Sequence, residues 1–308
     1  MRIAFVDEFK LAVVSDQKVV DVSDVVSAIP HLKPQDLLEG VIARFAQLRP
    51  KLESAAQSRP GKPIAQSRFR QPVPQPSKIV CMAGNYMESG TIPAPYDVDA
   101  FLKSPASIVG DGDTVVLPDA PATVFQHEAE LGVVIGRRAS KVRAARALEH
   151  VFGYVNFIDV SARGINPNGR NSFWWQKSWD TFGPIGPWVA TRDDVPDPQK
   201  LQIRLWNNGD LRQDFSTSDM ARGVAQVIEL ISNEVTLLPG DVIATGTNHL
   251  GLGPLQDGEK VEMEITGLGR LHLSVKDDKK RTWRRETVAQ QRAREASEKE
   301  KAAVSKSG

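Results

Sequence analysis

The hydrophobic pattern divides the chain into a short N-terminal section and a longer section rich in strands. The first section contains two strand-like runs, IAFV and KLAVVS, then VVDVSDVV and a helical stretch around QDLLEGVIARFAQL. The segment RFRQPVPQPSK follows and places prolines at alternate positions, which is typical of an extended connector. We therefore predict a small N-terminal domain, including this connector, over residues 1–75.

Beyond the connector, most apolar runs are short and end at Gly, Pro, Asp or Asn, as strands do. The predicted strands lie in SKIVCMAGN, ASIVG, TVVLP, AELGVVIG, GYVNFIDVS, LQIRLWNNG, DVIATGT, EKVEMEI and RLHLSV. Because these runs outnumber the helical segments and do not alternate regularly with them, we predict an α+β, mostly β catalytic domain over residues 76–285.

Two helices are predicted among these strands. One covers KVRAARALEHV, between Ser140 and Gly153. The other follows the polar run Ser216–Ser218 and has one apolar stripe, which consists of Met220, Val224, Val227, Ile228 and Ile231. Residues 286–308 are polar and rich in alanine, so we predict a charged C-terminal tail, as a solvated helix or a frayed end, without a catalytic role.

The composition restricts the class of protein. The chain has 308 residues, of which 41% are hydrophobic and 25% charged, as expected of a globular protein. Lys and Arg (39) balance Asp and Glu (38), so no basic field predicts a nucleic-acid or anionic-membrane partner. The N-terminus has neither a signal-peptide core nor a transmembrane span, and Cys81 is the only cysteine. We predict a cytoplasmic enzyme in which Cys81 is a buried strand thiol.

The sequence HEAELGVVIGR contains the first candidate for chemistry. Glu128 and Glu130 are two residues apart in a strand pattern, so their carboxylates project from the same face. That face continues with Gly132 and Val134, which are not polar. Carboxylates in apolar surroundings either shift their pKa values or take a cation, so a metal site and a structural role are both open.

A second E-x-E pair in the same chain has a different setting. Glu262 and Glu264 lie in a predicted hairpin strand and continue a polar alternation that begins at Lys260. This pattern is typical of a solvated face. An E-x-E motif alone is therefore weak evidence for a metal site.

Asp159 ends another apolar strand, in YVNFIDVSAR, where an aspartate that satisfies a turn is the ordinary interpretation. Three carboxylates without a cluster of His or Cys would suit a hard cation, namely Mg²⁺ or Mn²⁺, with Ca²⁺ also possible. Zinc is less favoured because the five histidines have no ligand spacing.

Taken together, the motifs resemble the fumarylacetoacetate hydrolase family from about Lys78 to Leu273. The matching stretches are KIVCMAGNY, FLKSPASIVG, HEAELGVVIGR, VFGYVNFIDVSAR, QKSWDTFGPIGPW, NNGDLRQ, LLPGDVIATGT and VEMEITGLGRL, in the family's order. The resemblance implies a mixed β-roll of the family's C-terminal type with flanking helices. It also implies a homodimer.

The resemblance assigns roles to individual residues. The family's metal ligands correspond to Glu128, Glu130 and Asp159. Lys177 corresponds to a lysine near the metal and substrate, and Lys103 to one less closely tied to the chemistry. The remaining substrate-binding candidates are Tyr86 in the Asn-Tyr pair, Thr247, which would bind a carboxylate or keto oxygen, and Gln213 near the site entrance.

Family members bind a 2-oxo acid to the metal, which stabilises an enolate as a neighbouring bond breaks. Our first hypothesis is therefore a hydrolase or lyase that cleaves a C–C bond in a 2-oxo or β-diketo acid. The alternative is an isomerase, tautomerase or dehydratase acting on a 2-oxo acid or 2-keto-3-deoxy sugar acid. A third possibility is a non-catalytic protein that binds metal and keto acid, because the fold does not determine the reaction.

The lid departs from the hydrolytic members of the family. The position of their catalytic histidine holds Ser89, and that of their glutamate holds Ile92. Ser89 is a poor general base, and Gly90 and Pro93 oppose a lid helix. The usual water-activating lid dyad is therefore predicted to be absent.

Two further departures lie near the predicted site. His249 follows Thr247 where the family generally has proline, so we hypothesise that His249, or Glu88 in the altered lid, transfers protons; a satisfied loop histidine is equally compatible. In the loop before Lys177, the arginines Arg163 and Arg170 would bind a second carboxylate. The neighbouring Trp174 and Trp175 are predicted to be interface or core anchors.

Overall fold

The computed structural model describes residues 1–165 and 172–306 of the chain. The strands are β1 Arg2–Val6, β2 Lys10–Ser15, β3 Lys18–Asp21, β4 Lys62–Pro63, β5 Phe69–Arg70, β6 Ile79–Ala83, β7 Asp99–Lys103, β8 Ile108–Val109, β9 Thr114–Val116, β10 Val124–Gln126, β11 Ala129–Ile135, β12 Val151–Ile158, β13 Ser161–Arg163, β14 Gly183–Thr191, β15 Gln202–Asn207, β16 Asp210–Ser216, β17 Val242–Ala244, β18 Lys260–Ile265 and β19 Arg270–Lys276. The helices are α1 Pro34–Ala43, α2 Phe45–Ser58, α3 Ala144–Ala147, α4 Phe173–Lys177, α5 Val224–Glu234 and α6 Val288–Lys306. The predicted α+β, mostly β class is confirmed.

The described strands form three sheets. The largest has 12 strands, in the order β4-β3-β2-β1-β14-β12-β11-β17-β6-β7, with β5 paired to β1 and β8 paired to β14. A five-stranded sheet has the order β16-β15-β18-β19-β9, and β10 pairs with β13 in a third sheet. One core cluster joins the large sheet to the five-stranded sheet, since Val133 and Tyr154 of the former share it with Met263 and Leu271 of the latter.

The N-terminal section shares the large sheet with the rest of the chain. Strand β1 pairs antiparallel with β14, with Arg2 opposite Ala190 and Ile3 opposite Val189. A second core cluster contains Ile3 and Leu38 together with Val155 of β12. This section is therefore continuous with the catalytic region in both hydrogen bonding and core packing, and a boundary at residue 75 stays a prediction.

The central strand β14 is the main element that the hydrophobic pattern missed. Its sequence, GPIGPWVAT, contains Pro184 and Pro187, and proline donates no hydrogen bond to a β-ladder. The register with β12 shifts between Tyr154 and Asn156. At that point the Asn156 side-chain amide donates to the carbonyl of Gly186 over 2.9 Å, so a buried side chain restores pairing where the backbone ladder is interrupted.

The helices agree with the predictions unevenly. Instead of one helix over KVRAARALEHV, the chain forms only the short α3, followed by a 3₁₀ turn at residues 148–150. Helix α5 has the predicted apolar stripe, except that Met220 precedes the helix. The C-terminal tail is helical, as α6. In the described part of the chain, no helix combines the length and apolarity needed to cross a membrane.

Candidate active site

Two neighbouring strands bring the predicted acidic residues together. Strands β11 and β12 are antiparallel, with Ala129 opposite Ile158 and Glu130 opposite Phe157. The ladder ends where the Asp159 amide donates to the Glu128 carbonyl over 2.9 Å. Strand alternation then directs all three carboxylates to one point, where ligand oxygens of Glu128, Glu130 and Asp159 lie within 4.8 Å of one another.

The three carboxylates are buried. Glu128 is 4% exposed, Glu130 1% and Asp159 1%. Burial and then the negative charges of Asp159 and Glu128 raise the pKa of Glu130 well above its ordinary value. Buried carboxylates that repel one another need nearby positive charge to remain ionised.

Two buried lysines supply part of that positive charge. Lys177, the last residue of α4, donates from Nζ to Glu128 Oε2 over 2.7 Å and to Asp159 Oδ2 over 2.8 Å. Lys103, at the end of β7, donates from Nζ to Asp159 Oδ1 over 2.8 Å and also bonds to the backbone carbonyl of Lys177. Burial opposes the charge on Lys177, but Asp159 and Glu128 outweigh it and raise the pKa of its ammonium.

Arg163 supplies a third positive charge, also at Glu128. Its guanidinium pairs with Glu128 Oε1 and donates from Nε to Gln126 Oε1 over 2.9 Å. The Ser161 hydroxyl donates to the same oxygen of Glu128 over 2.8 Å. Burial tends to raise the pKa of Glu128, but Lys177 and Arg163 outweigh it and hold that pKa below its ordinary value. Arg163 thus contacts a candidate metal ligand in this structure, whereas Arg170 lies outside the described residues.

Glu130 differs from the other two carboxylates in its partners. The backbone amide of Gly246 donates to Glu130 Oε2 over 2.7 Å. Among the described residues, no lysine or arginine forms an ion pair with Glu130. The cluster therefore offers hard oxygen ligands, close spacing and one carboxylate that lacks a cation, so it can bind a divalent metal.

Behind this cluster, a buried hydrogen-bond network joins the glutamate strand to the loop that follows β17. Gln213 is buried, and its Oε1 accepts from His127 Nδ1 over 3.0 Å and from the Ala129 amide over 3.1 Å. Its Nε2 donates to Thr247 Oγ1 over 2.8 Å and to the Asn248 carbonyl over 3.0 Å. Thr247 in turn donates to the Ala129 carbonyl over 2.7 Å. Gln213 therefore lies inside this network and not at a site entrance.

The tautomer of His127 follows from the same network. The Ala129 amide can only donate, so Gln213 Oε1 is an acceptor and His127 Nδ1 carries the hydrogen. Burial lowers the pKa of His127 to about 4, which keeps the ring neutral. His127 does not belong to the carboxylate cluster.

The altered lid and the loop after Thr247 meet at a histidine and a glutamate. His249 Nδ1 lies 2.8 Å from Glu88 Oε1, although the two residues are 161 positions apart in the chain. The hydrogen bond to His249, stronger than the opposing effect of burial, lowers the pKa of Glu88. Thr247, two residues before His249, donates to the carbonyl of Ala129 between Glu128 and Glu130, so this segment borders the carboxylate cluster. The structure therefore pairs the two residues that the sequence offered as alternatives.

The rest of the lid forms turns and not a helix, as predicted. Glu88 and Ser89 both have positive φ, 51° and 56°. The Ser89 amide donates to the Asp219 carboxylate over 3.0 Å, which ties the lid to the turn after β16. Tyr86 is buried and packs edge-on against Phe215, with ring centroids 5.1 Å apart.

The remaining candidates agree with the predictions in part. Cys81 is a buried thiol, and burial, with Asp159 and Glu130 nearby, raises its pKa well above the ordinary value. Trp174 and Trp175 are 57% and 47% exposed, so they are not core anchors, and the interface interpretation stays a prediction. Sequence reasoning missed Ser161, for which the only signal is its place two residues after Asp159.

Comparison with known proteins identifies a matching family model and several similar proteins. Residues 78–276 match the family model described as fumarylacetoacetate (FAA) hydrolase C-terminal. The chain is 32% identical over 292 residues to the maleylpyruvate hydrolase of Aquipseudomonas alcaligenes, which covers 90% of this chain and 99% of that protein. It is 36% identical over 248 residues to a mitochondrial oxaloacetate tautomerase of Bos taurus, covering 77% and 78% of the two chains.

A similar solved structure is that of maleylpyruvate hydrolase from Sphingobium sp. SYK-6 in complex with manganese(II) ion and pyruvate. It superimposes with a TM-score of 0.81 at 35% identity and covers 90% of this chain and 99% of that one. The similarity thus extends over nearly the whole length of that hydrolase.

Proposed function

The chain belongs to the fumarylacetoacetate hydrolase family, and we propose that it is a divalent-metal-dependent hydrolase that cleaves a C–C bond in an acylpyruvate-type 2-oxo acid. The leading substrate class is that of maleylpyruvate, a 2,4-dioxo acid with a second carboxylate. The observation that carries this proposal is the Glu88–His249 hydrogen bond, on the segment whose Thr247 bonds to the strand of Glu128 and Glu130. It supplies a base at a site whose lid lacks the usual histidine.

Glu128, Glu130 and Asp159 would hold the metal, and Mn²⁺ or Mg²⁺ suits three carboxylates better than zinc does. When bound, such a cation withdraws charge from the keto and carboxylate oxygens of a 2-oxo acid. The manganese and pyruvate in the Sphingobium hydrolase support this choice of cation and ligand. Ca²⁺ has the same ligand preference and belongs in the same test.

Lys177 would provide fixed positive charge where negative charge develops on the substrate. Its Nζ is buried and is held between Glu128 and Asp159, so its position needs no rearrangement during the reaction. Lys103 would act by holding Asp159 and the backbone of Lys177 in place.

His249 would be the general base, oriented by Glu88. The Glu88 carboxylate accepts from Nδ1, which places the basic lone pair of neutral His249 on Nε2. Nε2 would take a proton from water as the water oxygen bonds to the 4-keto carbon. The C3–C4 bond then breaks, its electron pair passes to the pyruvate fragment, and the proton held by His249 goes to C3. The products are pyruvate and a carboxylic acid.

The remaining predicted residues would bind the substrate. Thr247 donates to the carbonyl of Ala129, next to Glu130. Burial and then the charge of Glu130 raise the pKa of Tyr86. Gln213 would hold Thr247 from behind. Arg163, half-buried at Glu128, is the candidate for the second carboxylate of a dicarboxylic substrate.

A tautomerase or isomerase is the second candidate function. Two observations favour it: Ser89 and Ile92 occupy the lid positions of the family's water-activating pair, and an oxaloacetate tautomerase is 36% identical to the chain. In that reaction His249 would move a proton between carbon and oxygen, and no water would attack.

One experiment separates these functions. The protein is incubated with Mn²⁺, Mg²⁺ or Ca²⁺ and with maleylpyruvate, other acylpyruvates, oxaloacetate or 2-keto-3-deoxy sugar acids, and the products are followed by NMR and mass spectrometry. We expect pyruvate and an acid fragment from acylpyruvates. Loss of carbon dioxide would indicate a decarboxylating lyase, and products of unchanged or dehydrated mass an isomerase or dehydratase. Binding without any turnover would indicate a non-catalytic keto-acid-binding protein and contradict both enzymatic proposals.

A homodimer remains a separate proposal. Strand β7 ends the large sheet, and apolar Leu102 on this strand is 57% exposed. Trp174 and Trp175 of the adjoining helix α4 are also exposed. Light scattering after gel filtration would give the oligomeric state. Loss of the dimer in Leu102→Asp and Trp174→Ala variants, with folding retained, would support this surface as the contact.

A further inference from the structure

The C-terminal helix α6 reaches the Glu88–His249 pair, although it lies beyond residues 78–276, which match the family model. Arg292 Nη1 on this helix lies 3.7 Å from Glu88 Oε2. The other oxygen of Glu88 contacts His249 over 2.8 Å. The two oxygens of one buried carboxylate therefore face two different cationic or basic groups, from two different segments.

The segment that leads to α6 is attached to the catalytic region at successive points. Trp283 Nε1 donates to the Thr123 carbonyl over 2.6 Å, and its ring packs on Phe125. Arg285 pairs with Glu259 over 3.2 Å. The Val288 amide then donates to the carbonyl of Leu252 over 2.9 Å, just after the turn that contains His249. These contacts fix the start of α6 relative to His249.

The first turns of α6 have their own ion pairs. Arg294 donates to both carboxylate oxygens of Glu286, over 2.8 and 3.1 Å, and pairs with Glu298 one turn later. These pairs span the region around Arg292. A helix anchored at its start in this way places the Arg292 side chain near Glu88 more reproducibly than a frayed tail would.

We propose that α6 is part of the active site and that Arg292 is a positioning residue for the Glu88–His249 pair. The proposal rests on the proposed function, in which His249 is the base. A carboxylate bound at only one oxygen can rotate about its last side-chain bond, and a second contact restricts that rotation. Arg292 would thereby hold Oε1 of Glu88 toward Nδ1 of His249, and so hold Nε2 in its reactive direction.

The lid conformation makes this second contact useful. Glu88 lies in a turn with φ of 51°, and its neighbour Ser89 is held through its amide by Asp219. Asn248, next to His249, donates from Nδ2 to the same Asp219 carboxylate over 3.2 Å. Asp219 thus joins the Ser89 backbone to the Asn248 side chain, whereas Arg292 contacts the Glu88 side chain itself.

The test uses the full-length protein with Arg292→Gln, Arg292→Lys and the control Lys299→Gln. Lys299→Gln removes the same charge from the same helix, where the structure gives it no contact with the lid. For Arg292→Gln we expect kcat to fall about fivefold, the effect of losing one partly exposed ion pair. KM and the Mn²⁺ dissociation constant should stay unchanged. Arg292→Lys should recover most of kcat, and Lys299→Gln should match the wild type.

Hydrogen exchange gives a readout that does not need turnover. Arg292→Gln should speed amide exchange in residues 87–92, while Lys299→Gln leaves it unchanged. Wild-type kcat and wild-type exchange in Arg292→Gln would overturn the inference, and so would equal losses in Arg292→Gln and Lys299→Gln. If the wild-type protein turned over no 2-oxo acid, the proposed function would fail, and the exchange experiment would still decide whether Arg292 orders the lid.

Discussion

The chain contains two E-x-E strand motifs that share a sequence pattern but differ in burial and in their charged partners. Glu128 and Glu130 are buried, and Asp159 joins them on one side. Glu262 and Glu264 lie on β18 with side chains 36% and 39% exposed. The same spacing therefore serves a buried acidic cluster in one place and a solvated sheet face in the other.

The cations beside the two motifs show what burial changes. At the surface, one guanidinium, that of Arg270, bonds to both Glu262 and Glu264, over 2.9 and 3.0 Å, and stacks over Trp206. In the buried cluster, Lys177 joins Glu128 and Asp159, whereas Glu130 accepts from the Gly246 backbone amide and forms no ion pair within the described parts of the chain. Water screens the surface charges, whereas the buried carboxylates depend on fixed partners, so only the buried motif has a strong need for a metal.

The largest expected effect is on catalysis. Glu130→Gln should lower kcat/KM by roughly 1000-fold and abolish tight Mn²⁺ binding, because it removes a charged metal ligand. Glu262→Gln, the matched change on the surface, should leave both quantities within about twofold of the wild type. Isothermal titration with Mn²⁺ and steady-state kinetics measure the two effects. Equal losses in both variants would remove the distinction between the motifs.

The next effect is on stability without metal. Lys177→Met should lower the free energy of unfolding by about 3 kcal/mol, because it removes the buried cation that Glu128 and Asp159 share and leaves each of them with one cationic partner. Arg270→Met on the surface should lower it by no more than about 1 kcal/mol. Urea denaturation in the presence of a chelator gives both values. A larger loss in Arg270→Met would contradict the comparison.

Metal binding should stabilise the fold in a pH-dependent way. At 100 times its dissociation constant, Mn²⁺ should add about 2.7 kcal/mol to the free energy of unfolding. Because the pKa of Glu130 is raised from 4.5, the metal-free fold retains a proton that the unfolded chain loses as pH rises. The metal-free fold therefore loses stability as pH rises from 4.5 toward that raised pKa, and Mn²⁺ affinity grows over the same interval.

Thermal melts with Mn²⁺ or chelator across this pH range provide the measurement. A double variant, Glu262→Gln with Glu264→Gln, should keep the full metal-dependent shift. An affinity for Mn²⁺ that is constant or falls with rising pH would be inconsistent with a proton on Glu130.

The smallest effect concerns salt. A double-mutant cycle between Arg270 and Glu262 should give a coupling of about 0.5 kcal/mol that fades as NaCl increases, since exposed charges are screened within about 10 Å at 0.1 M. The corresponding cycle between Lys177 and Glu128 should give a larger coupling that changes little with salt. Chemical denaturation at low and high salt would reveal whether the two cycles respond alike.

The fold was predictable where neighbours in sequence determine the pattern. The runs around β11, β12, β18 and β19 alternate or are continuously apolar, and each is a strand in the structure. Strand β14 was not predicted because Pro184 and Pro187 contradict a central strand. Pairing with β1, β8 and β12 and the side chain of Asn156 stabilise it in the folded chain. The predicted helix over KVRAARALEHV was wrong in its length. The chain forms only the short α3 and a 3₁₀ turn there.

The candidate site also has residues that could be predicted from the sequence and residues that could not. The acidic set was recoverable because Glu128 and Glu130 share one strand and because family motifs include Asp159. The buried position of Gln213 was not recoverable, since its partners His127, Thr247 and Asn248 come from other segments of the chain. The contact of Arg292 with Glu88 had no signal in the sequence, where the tail reads only as a polar helix.

The sequence alone determined the family, the acidic residues, the absence of a lid histidine and most of the strands, because each of these depends on residue types at fixed short spacings. Two features became visible in the folded chain alone: Glu88 meets His249 across 161 residues, and the C-terminal helix reaches this pair. Such long-range contacts depend on how sheets pack and where chain segments cross, and they cannot be read from local periodicity.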